Sequence, residues 1–465
     1  MKLLAFIGLY LAGAAVAFPS IKELKVAAWR RQFLGSTELP GDLATLAPGE
    51  LSSVGAEIRA ILLGQSDGQG NEGYSPPALD SAECRQDECC VWKHVADELY
   101  GLMHDAATGT CNDFARGAIR MGFHDAAAWD KFSSWGGADG SLLLSDELLR
   151  PENAAMAGVG AKMKGLYEGY TAHGFGISMA DLLQCGAKVG VLACPGGPRI
   201  RMFVGRPSDA TPAPLGRLPP ATFTADQIID LFADKMVSPS GIVTLIGAHT
   251  ASRNHNVTAN PPQDATPGRW DTDYFSEHLR PNASTGVFRF PSDVSLAQSP
   301  RTRPLFEQFS AAKGSWDKAY AAEYIRMSLM GVKSINTLRE CTKAMPKGDK
   351  TVPSEPPADG NPQSPSPSHT TATEYQSSTA TIASFSPGES SYPDGSRGHT
   401  TVPVNATVYE VKPTTGANAN ASANANATHE GPDPAAKSVP ITAEAGCIKI
   451  RLSAVAAACF LAALL

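Results

Sequence analysis

Seven stretches with apolar residues at helical spacing lie between Cys84 and Met345, and no hairpin signal of comparable strength interrupts them. They run Cys90 to Met103, Asn112 to Asp125, Ser178 to Leu192, Thr224 to Met236, Ser240 to Ala251, Arg303 to Ala312 and Trp316 to Met330. In the last, Trp316, Tyr320, Tyr324 and Met327 form one stripe, as an amphipathic helix requires. The pattern predicts an all-α domain over residues 84–345 with minimal β-structure. Downstream the composition changes. Residues 346–440 are Ser/Thr/Pro-rich or Asn/Ala-repetitive, with too little apolar content to offset the entropy of ordering, and read as an extended, glycosylated stalk.

The two ends point to export. Lys2 precedes an apolar run from Leu3 to Val16 that closes in Ala15-Val16-Ala17, the pattern of a secretory signal peptide over residues 1–17. Residues 441–465 carry small residues at Thr442 to Gly446, a short polar spacer with Lys449 and Arg451, and the apolar tail Leu452 to Leu465. That order predicts a glycolipid (GPI) anchor signal. A membrane helix is the competing reading, but fourteen residues rise only about 21 Å against a core of ~30 Å. The interior contains no apolar run long enough to span a bilayer. Sequons at Asn256, Asn282, Asn405, Asn420 and Asn426 fit a secreted glycoprotein. Residues 18–83 have no evident role; Arg30-Arg31 is compatible with removal of a propeptide or with a solvated face. Lys plus Arg total 39 against 46 Asp plus Glu, a net charge of −7, which argues against a nucleic-acid partner.

Cysteine usage agrees with an oxidising compartment. Cys84, Cys89, Cys90, Cys111, Cys185, Cys194 and Cys341 belong to the helical region, and an odd seven leaves at least one thiol free. Cys185, inside an apolar stretch, is the candidate for an inert buried thiol.

Two constellations carry chemistry. Arg120 and His124 stand four apart near the end of a helix, so a cation and a potential base share one face. Gly136-Gly137-Ala138-Asp139-Gly140-Ser141 follows, a turn offering the carbonyl, carboxylate and hydroxyl oxygens that a hard Ca²⁺ takes. Downstream, His249 closes an apolar helix and is followed by a second oxygen-rich loop, Asp264 to Asp271, and by Ser292-Asp293.

In this order, and with the stretch Gln184 to Pro214 between them, the motifs resemble those of the class II secreted fungal haem peroxidases, the group of lignin, manganese and versatile peroxidases. The likeness extends from Cys84 to Cys341. It implies the haem peroxidase fold, with haem b between a distal and a proximal helical half. His249 would ligate the iron, Asp293 would accept its Nδ1–H and make the imidazole more electron-donating, and Phe123 would wall the haem. His124 would be the distal base, Arg120 would stabilise charge on the departing peroxide oxygen, and Asn153 would hold the His124 tautomer. Two Ca²⁺ sites are implied as well. The distal one comprises Asp125, Gly137, Asp139 and Ser141, with Glu147 reached through water; the proximal one comprises Thr250, Asp264, Thr266, Arg269 and Asp271. Implied disulfides are Cys84–Cys90, Cys89–Cys341 and Cys111–Cys194.

The sequence departs from the specialised members. Positions matching the manganese-binding acids are Asp113, Gly117 and His255, and the position of the surface tryptophan that oxidises bulky donors is Thr244. The expectation is therefore a generic, low-potential enzyme. It would use hydrogen peroxide to oxidise small phenols or similar aromatic reductants at the haem edge, beside Pro212-Ala213-Pro214. It would act as a monomer held at a membrane or cell wall. The rival is a catalytically weak, wall-anchored display or haem-binding protein on the same scaffold, which the intact set of Arg120, His124, Asn153, His249 and Asp293 disfavours. An intracellular relative of the cytochrome c and ascorbate peroxidases is disfavoured by Phe123 in place of a tryptophan, by both calcium loops and by the signal peptide.

Overall fold

A computed structural model describes residues 36–255 and 259–348. The expected signal peptide, stalk and anchor signal, with Arg30-Arg31 and every sequon except that at Asn282, lie outside the described residues. Asn282 itself is exposed.

The described chain is all-α, as the periodicity predicts. Its only β-structure among the described residues is two short antiparallel pairs, His104–Asp105 with Thr110–Cys111 and Phe203–Val204 with Arg339–Glu340, and two isolated bridges. Several of the helices that build the site start where a side chain can accept the orphan amides of the first turn. Asn112 Oδ1 accepts from Phe114 N at 2.9 Å and opens the helix Asp113–Ala126. Ser178 caps Met179–Ala193, Thr224 and Gln227 form a capping box on Ala225–Ala233, and Ser238 followed by Pro239 starts Pro239–Ile246.

The helix Met179–Ala193 is buried along its whole length and packs along Asp113–Ala126. Glycine makes that crossing close: a Cβ on Gly122 would lie 2.5 Å from Ala187 Cβ and 2.8 Å from Tyr324 Oη. On the other side the predicted stripe Trp316, Tyr320, Tyr324 and Met327 is buried on the helix Lys313–Met327. There Trp270 stacks on Trp316 with ring centroids 4.8 Å apart.

Two boundaries differ from the sequence reading. The predicted helix Ser240 to Ala251 ends as an α-helix at Ile246 and continues as a 3-10 turn, Gly247–Ala251, which carries His249. The folded body also begins well before Cys84. Residues from Ser36 onward pack onto it through a helix, Ser53–Leu62, whose Ile58, Ile61 and Leu62 are buried. Ser52 N and Oγ donate to Asn336 Oδ1 and the Asn336 carbonyl, each at 2.7 Å, and Arg326 and Arg199 donate to the carbonyls of Leu62 and Gly70, both at 2.8 Å. The Gly-rich stretch at residues 64–73 is also part of the body: Gln69 bridges to Ile200 and its backbone is used by the fold.

Three disulfides form, Cys84–Cys90, Cys89–Cys341 and Cys111–Cys194, and Cys185 is a buried free thiol. Cys89–Cys341 closes a loop of 252 residues, which in the chain-entropy account destabilises the unfolded state by up to about 5 kcal/mol.

Gly122→Ala tests the helix crossing. Helix propensity favours alanine by up to about 1 kcal/mol, whereas overpacking costs about 1–3 kcal/mol. A lower melting temperature is expected, and an equal or higher one would contradict the packing described.

Candidate active site

Asp113–Ala126 and the 3-10 turn at His249 come from opposite halves of the chain and face each other across a cavity of about 390 Å³. Its walls are mostly apolar, with Phe123, Phe232, Leu245 and Phe290 among them, and both histidines line it.

On the first side, His124 Nδ1 meets Asn153 Oδ1 at 2.7 Å, which fixes the proton on Nδ1 and leaves Nε2 free to act as a base. Asn153 sits in a 3-10 turn, Pro151–Asn153, and its amide donates to the Glu147 carbonyl at 2.6 Å. Arg120 Nε donates to His124 Nε2 at 3.3 Å, and its terminal nitrogens donate to the carbonyls of Ala154 and Glu152 at 3.1 and 2.9 Å. A rigid guanidinium is thus held beside the imidazole. Burial first, and then the Arg120 charge, push the His124 pKa down to about 3, so the ring is neutral at ordinary pH.

On the second side, His249 Nδ1 lies 2.7 Å from Asp293 Oδ2. Asp293 is buried on the helix Pro291–Gln298. Burial alone would raise its carboxyl, but the charge and hydrogen bond of His249, with His278 and the Ser292 hydroxyl, hold it below the usual carboxylate range. With Nδ1 committed, Nε2 is the ring nitrogen left for the cavity. Two residues here escape the sequence reading. Tyr274 Oη donates to the same Asp293 oxygen at 2.9 Å, and His278 Nε2 stands 4.0 Å from it. Both lie on a short helix, Asp273–Leu279, that leaves little periodic signal.

The cavity fits a flat, apolar prosthetic group with one metal. Its walls are apolar, one imidazole nitrogen remains available on a carboxylate-braced ring, and an acid–base pair stands opposite.

The oxygen-rich loops assemble as the spacing suggests. Asp125 is buried and accepts from Gly140 N and Leu142 N at 3.2 and 3.3 Å. Burial, with Asp139 and Glu147 nearby, raises its carboxyl well above the usual range; burial likewise raises Asp139 to about 6. Among the described residues, Ser141 Oγ is buried with no hydrogen-bond partner. Gly137 has φ +103°, where a Cβ would lie 2.2 Å from the Met330 carbonyl, so glycine alone suits this turn. Glu147 is buried but engaged, accepting from Ala213 N at 2.9 Å and pairing with Arg150 at 3.4 Å. In the second loop Thr250 Oγ1 reaches Asp264 at 2.5 Å and Asp271 at 3.2 Å, and Thr266 Oγ1 reaches Asp271 at 2.8 Å. Arg269 lies on the same loop, its amide donating to the Thr266 carbonyl at 2.9 Å. Burial raises Asp264 to about 7, with Asp271 and Asp273 adding to the rise. Buried carboxylates that repel one another, beside an orphaned hydroxyl in the first loop, form donor sets suited to a hard divalent cation.

Asp113, by contrast, is exposed at the surface beside Arg116. It pairs with Arg116 at 2.6 Å, and although its partial burial raises its carboxyl, the charges of Arg116, His255 and Arg253 outweigh this and lower it. Thr244 is buried, and its carbonyl accepts from Trp316 Nε1 at 2.9 Å.

Comparison with known proteins agrees with this geometry. Residues 101–312 match the profile of the family described as Peroxidase. A peroxidase of Arthromyces ramosus is 28% identical over 316 residues, covering 62% of this chain and 84% of that protein. A cytosolic L-ascorbate peroxidase 1 of Oryza sativa subsp. japonica is 31% identical over 216 residues, 46% of this chain and 84% of that one. Manganese peroxidase H4 of Phanerodontia chrysosporium is 28% identical over 305 residues, 58% and 78% of the two chains. The chain belongs to the peroxidase family, and the enzyme is a haem peroxidase.

Proposed function

We propose that this enzyme is a generic, low-potential peroxidase of the class II fungal type, exported, held at the cell surface by a glycolipid anchor, and acting on small phenolic donors. The observation that carries the catalytic reading is the opposition of the Arg120–His124–Asn153 group to the Asp293-braced His249 across one apolar cavity.

When bound, haem supplies a redox-active iron that reduces peroxide by two electrons and recovers them singly from donors. The chain's own residues do the rest. His249 Nε2 would hold the iron. His124 Nε2 accepts one proton of hydrogen peroxide and delivers it to the other oxygen as the O–O bond breaks. Asn153 keeps the opposite nitrogen protonated, so the base works from one known atom. Arg120 stabilises the charge on the departing oxygen and needs no reorganisation, because Glu152 and Ala154 already fix it. The apolar walls, Phe123 and Phe232 among them, exclude water.

Donor choice follows from what borders the cavity. Cations around Asp113 disfavour manganese(II), and a buried Thr244 offers no surface route for bulky donors. Small aromatic reductants are the class that remains; Leu218 to Pro220 line the cavity, whereas Pro212-Ala213-Pro214, expected beside its opening, are not among the lining residues. We assign one Ca²⁺ to Asp125, Gly137, Asp139 and Ser141 and another to Thr250, Asp264, Thr266, Arg269 and Asp271. Asp125 and Thr250 directly follow the two site histidines, so each ion steadies one side of the cavity. Residues 36–83 belong to the mature enzyme in this reading, since the body uses them.

In haem-loaded protein, His124→Leu is expected to slow peroxide-driven phenol oxidation by about 10²–10⁴, with haem retained. Stopped-flow with peroxide measures this, and near-wild-type turnover would overturn the distal assignment. Metal analysis should return two calcium ions per chain. Chelation should lower the melting temperature, because the buried carboxylates lose their counter-charge; verified metal loss with no change in melting would refute the calcium assignment.

A further inference from the structure

Asp293 has more donors than a histidine brace requires. Its Oδ2 accepts from His249 Nδ1 at 2.7 Å and also from Tyr274 Oη at 2.9 Å, while Ser292 Oγ donates to Oδ1 at 2.9 Å. Tyr274 is fully buried, edge-on to His249 with ring centroids 5.8 Å apart. Its ring also packs against Phe275, Phe306 and, with centroids 4.2 Å apart, His278; none of these ring contacts uses the hydroxyl, so packing alone would be served by phenylalanine. Among the described residues, the one partner of its hydroxyl is the oxygen that His249 uses. Its carbonyl meets His278 Nδ1 at 2.8 Å, which helps hold the tyrosine in register with the carboxylate.

We infer that Tyr274 is a positioning residue that sets the electron-donating power of His249 by competing for Asp293 Oδ2. The inference rests on His249 as the axial ligand. A carboxylate oxygen shared by two donors is a weaker acceptor for each. With the phenol in place, Oδ2 draws less strongly on the Nδ1 proton, and the imidazole has less imidazolate character. A less electron-rich ring stabilises ferric iron less relative to ferrous, so the phenol raises the reduction potential. Ser292 acts in the same direction from the other oxygen. A tyrosine that merely filled space would leave this balance untouched.

The test uses the haem-loaded full chain as wild type, Tyr274→Phe and Ser292→Ala. Two properties are read: the ferric/ferrous midpoint potential by spectroelectrochemistry, and the iron–histidine stretching band of the ferrous form by resonance Raman. Tyr274→Phe should lower the potential and raise the stretching frequency, because the freed carboxylate pulls harder on His249. Ser292→Ala should move both the same way by less, and it carries the test if the phenylalanine variant does not take up haem. A wild-type band and potential that neither substitution moves, or that move oppositely, would overturn the inference alone. A wild type with no iron–histidine band would overturn the axial role of His249 and this inference with it.

Discussion

The 2.7 Å contact between His249 Nδ1 and Asp293 Oδ2 constrains more of this structure than any other pair. A carboxylate buried to this degree and left unpaired costs several kcal/mol, so the imidazole must stay turned toward it. That turn commits one ring nitrogen and presents the other to the cavity. The constraint then spreads: the helix Pro291–Gln298 must bring Asp293 beneath the 3-10 turn, and Asp273–Leu279 must place Tyr274 on the same oxygen. The geometry of the chemistry is thereby set by burial and pairing before any cofactor enters.

The opposite wall uses a different principle. Arg120 and His124 depend on a single rigid helix, and their environment keeps the base neutral: burial and the adjacent guanidinium both disfavour a charged imidazole. Asn153 reaches the same ring from a turn braced by Glu147, which in turn is held by Arg150 and the backbone of Ala213. Distal basicity thus depends on a hydrogen-bond chain running from the cavity through Asn153 and Glu147 to the backbone of Ala213. In each half the residue after the histidine belongs to a buried carboxylate loop, which ties local stability to the orientation of the site.

Legibility in the sequence followed the range of the interaction. Arg120 with His124 is a four-residue relation on one helix and can be read from spacing alone. The stripe from Trp316 to Met327 is likewise local, and its burial follows the period. Asp293 stands 44 residues from His249, so no periodicity joins them, and only the likeness to known peroxidases brought it forward. Tyr274 and His278 had neither signal: their helix is two turns long and contributes to the site by tertiary placement. Residues 36–83 offered no role in sequence for a related reason. Their glycine-rich stretch has no periodic signal, and its backbone is satisfied from far along the chain: Gly70 N donates to the Arg199 carbonyl, Arg201 N donates to the Gly68 carbonyl, and the Arg199 side chain donates to the Gly70 carbonyl. The predicted helix to Ala251 changes to 3-10 geometry at Gly247, a change of local winding that hydrophobic period does not encode.

The central claim is that the His249 ring, braced by Asp293, holds haem iron. Absorption spectroscopy of haem-reconstituted wild type beside His249→Ala tests it most directly. The account predicts a Soret band with one haem per chain in the wild type, a spectrum altered by loss of the axial nitrogen in the variant, and its restoration by added imidazole. Identical spectra from the two proteins, or a wild type that takes up no haem, would contradict it.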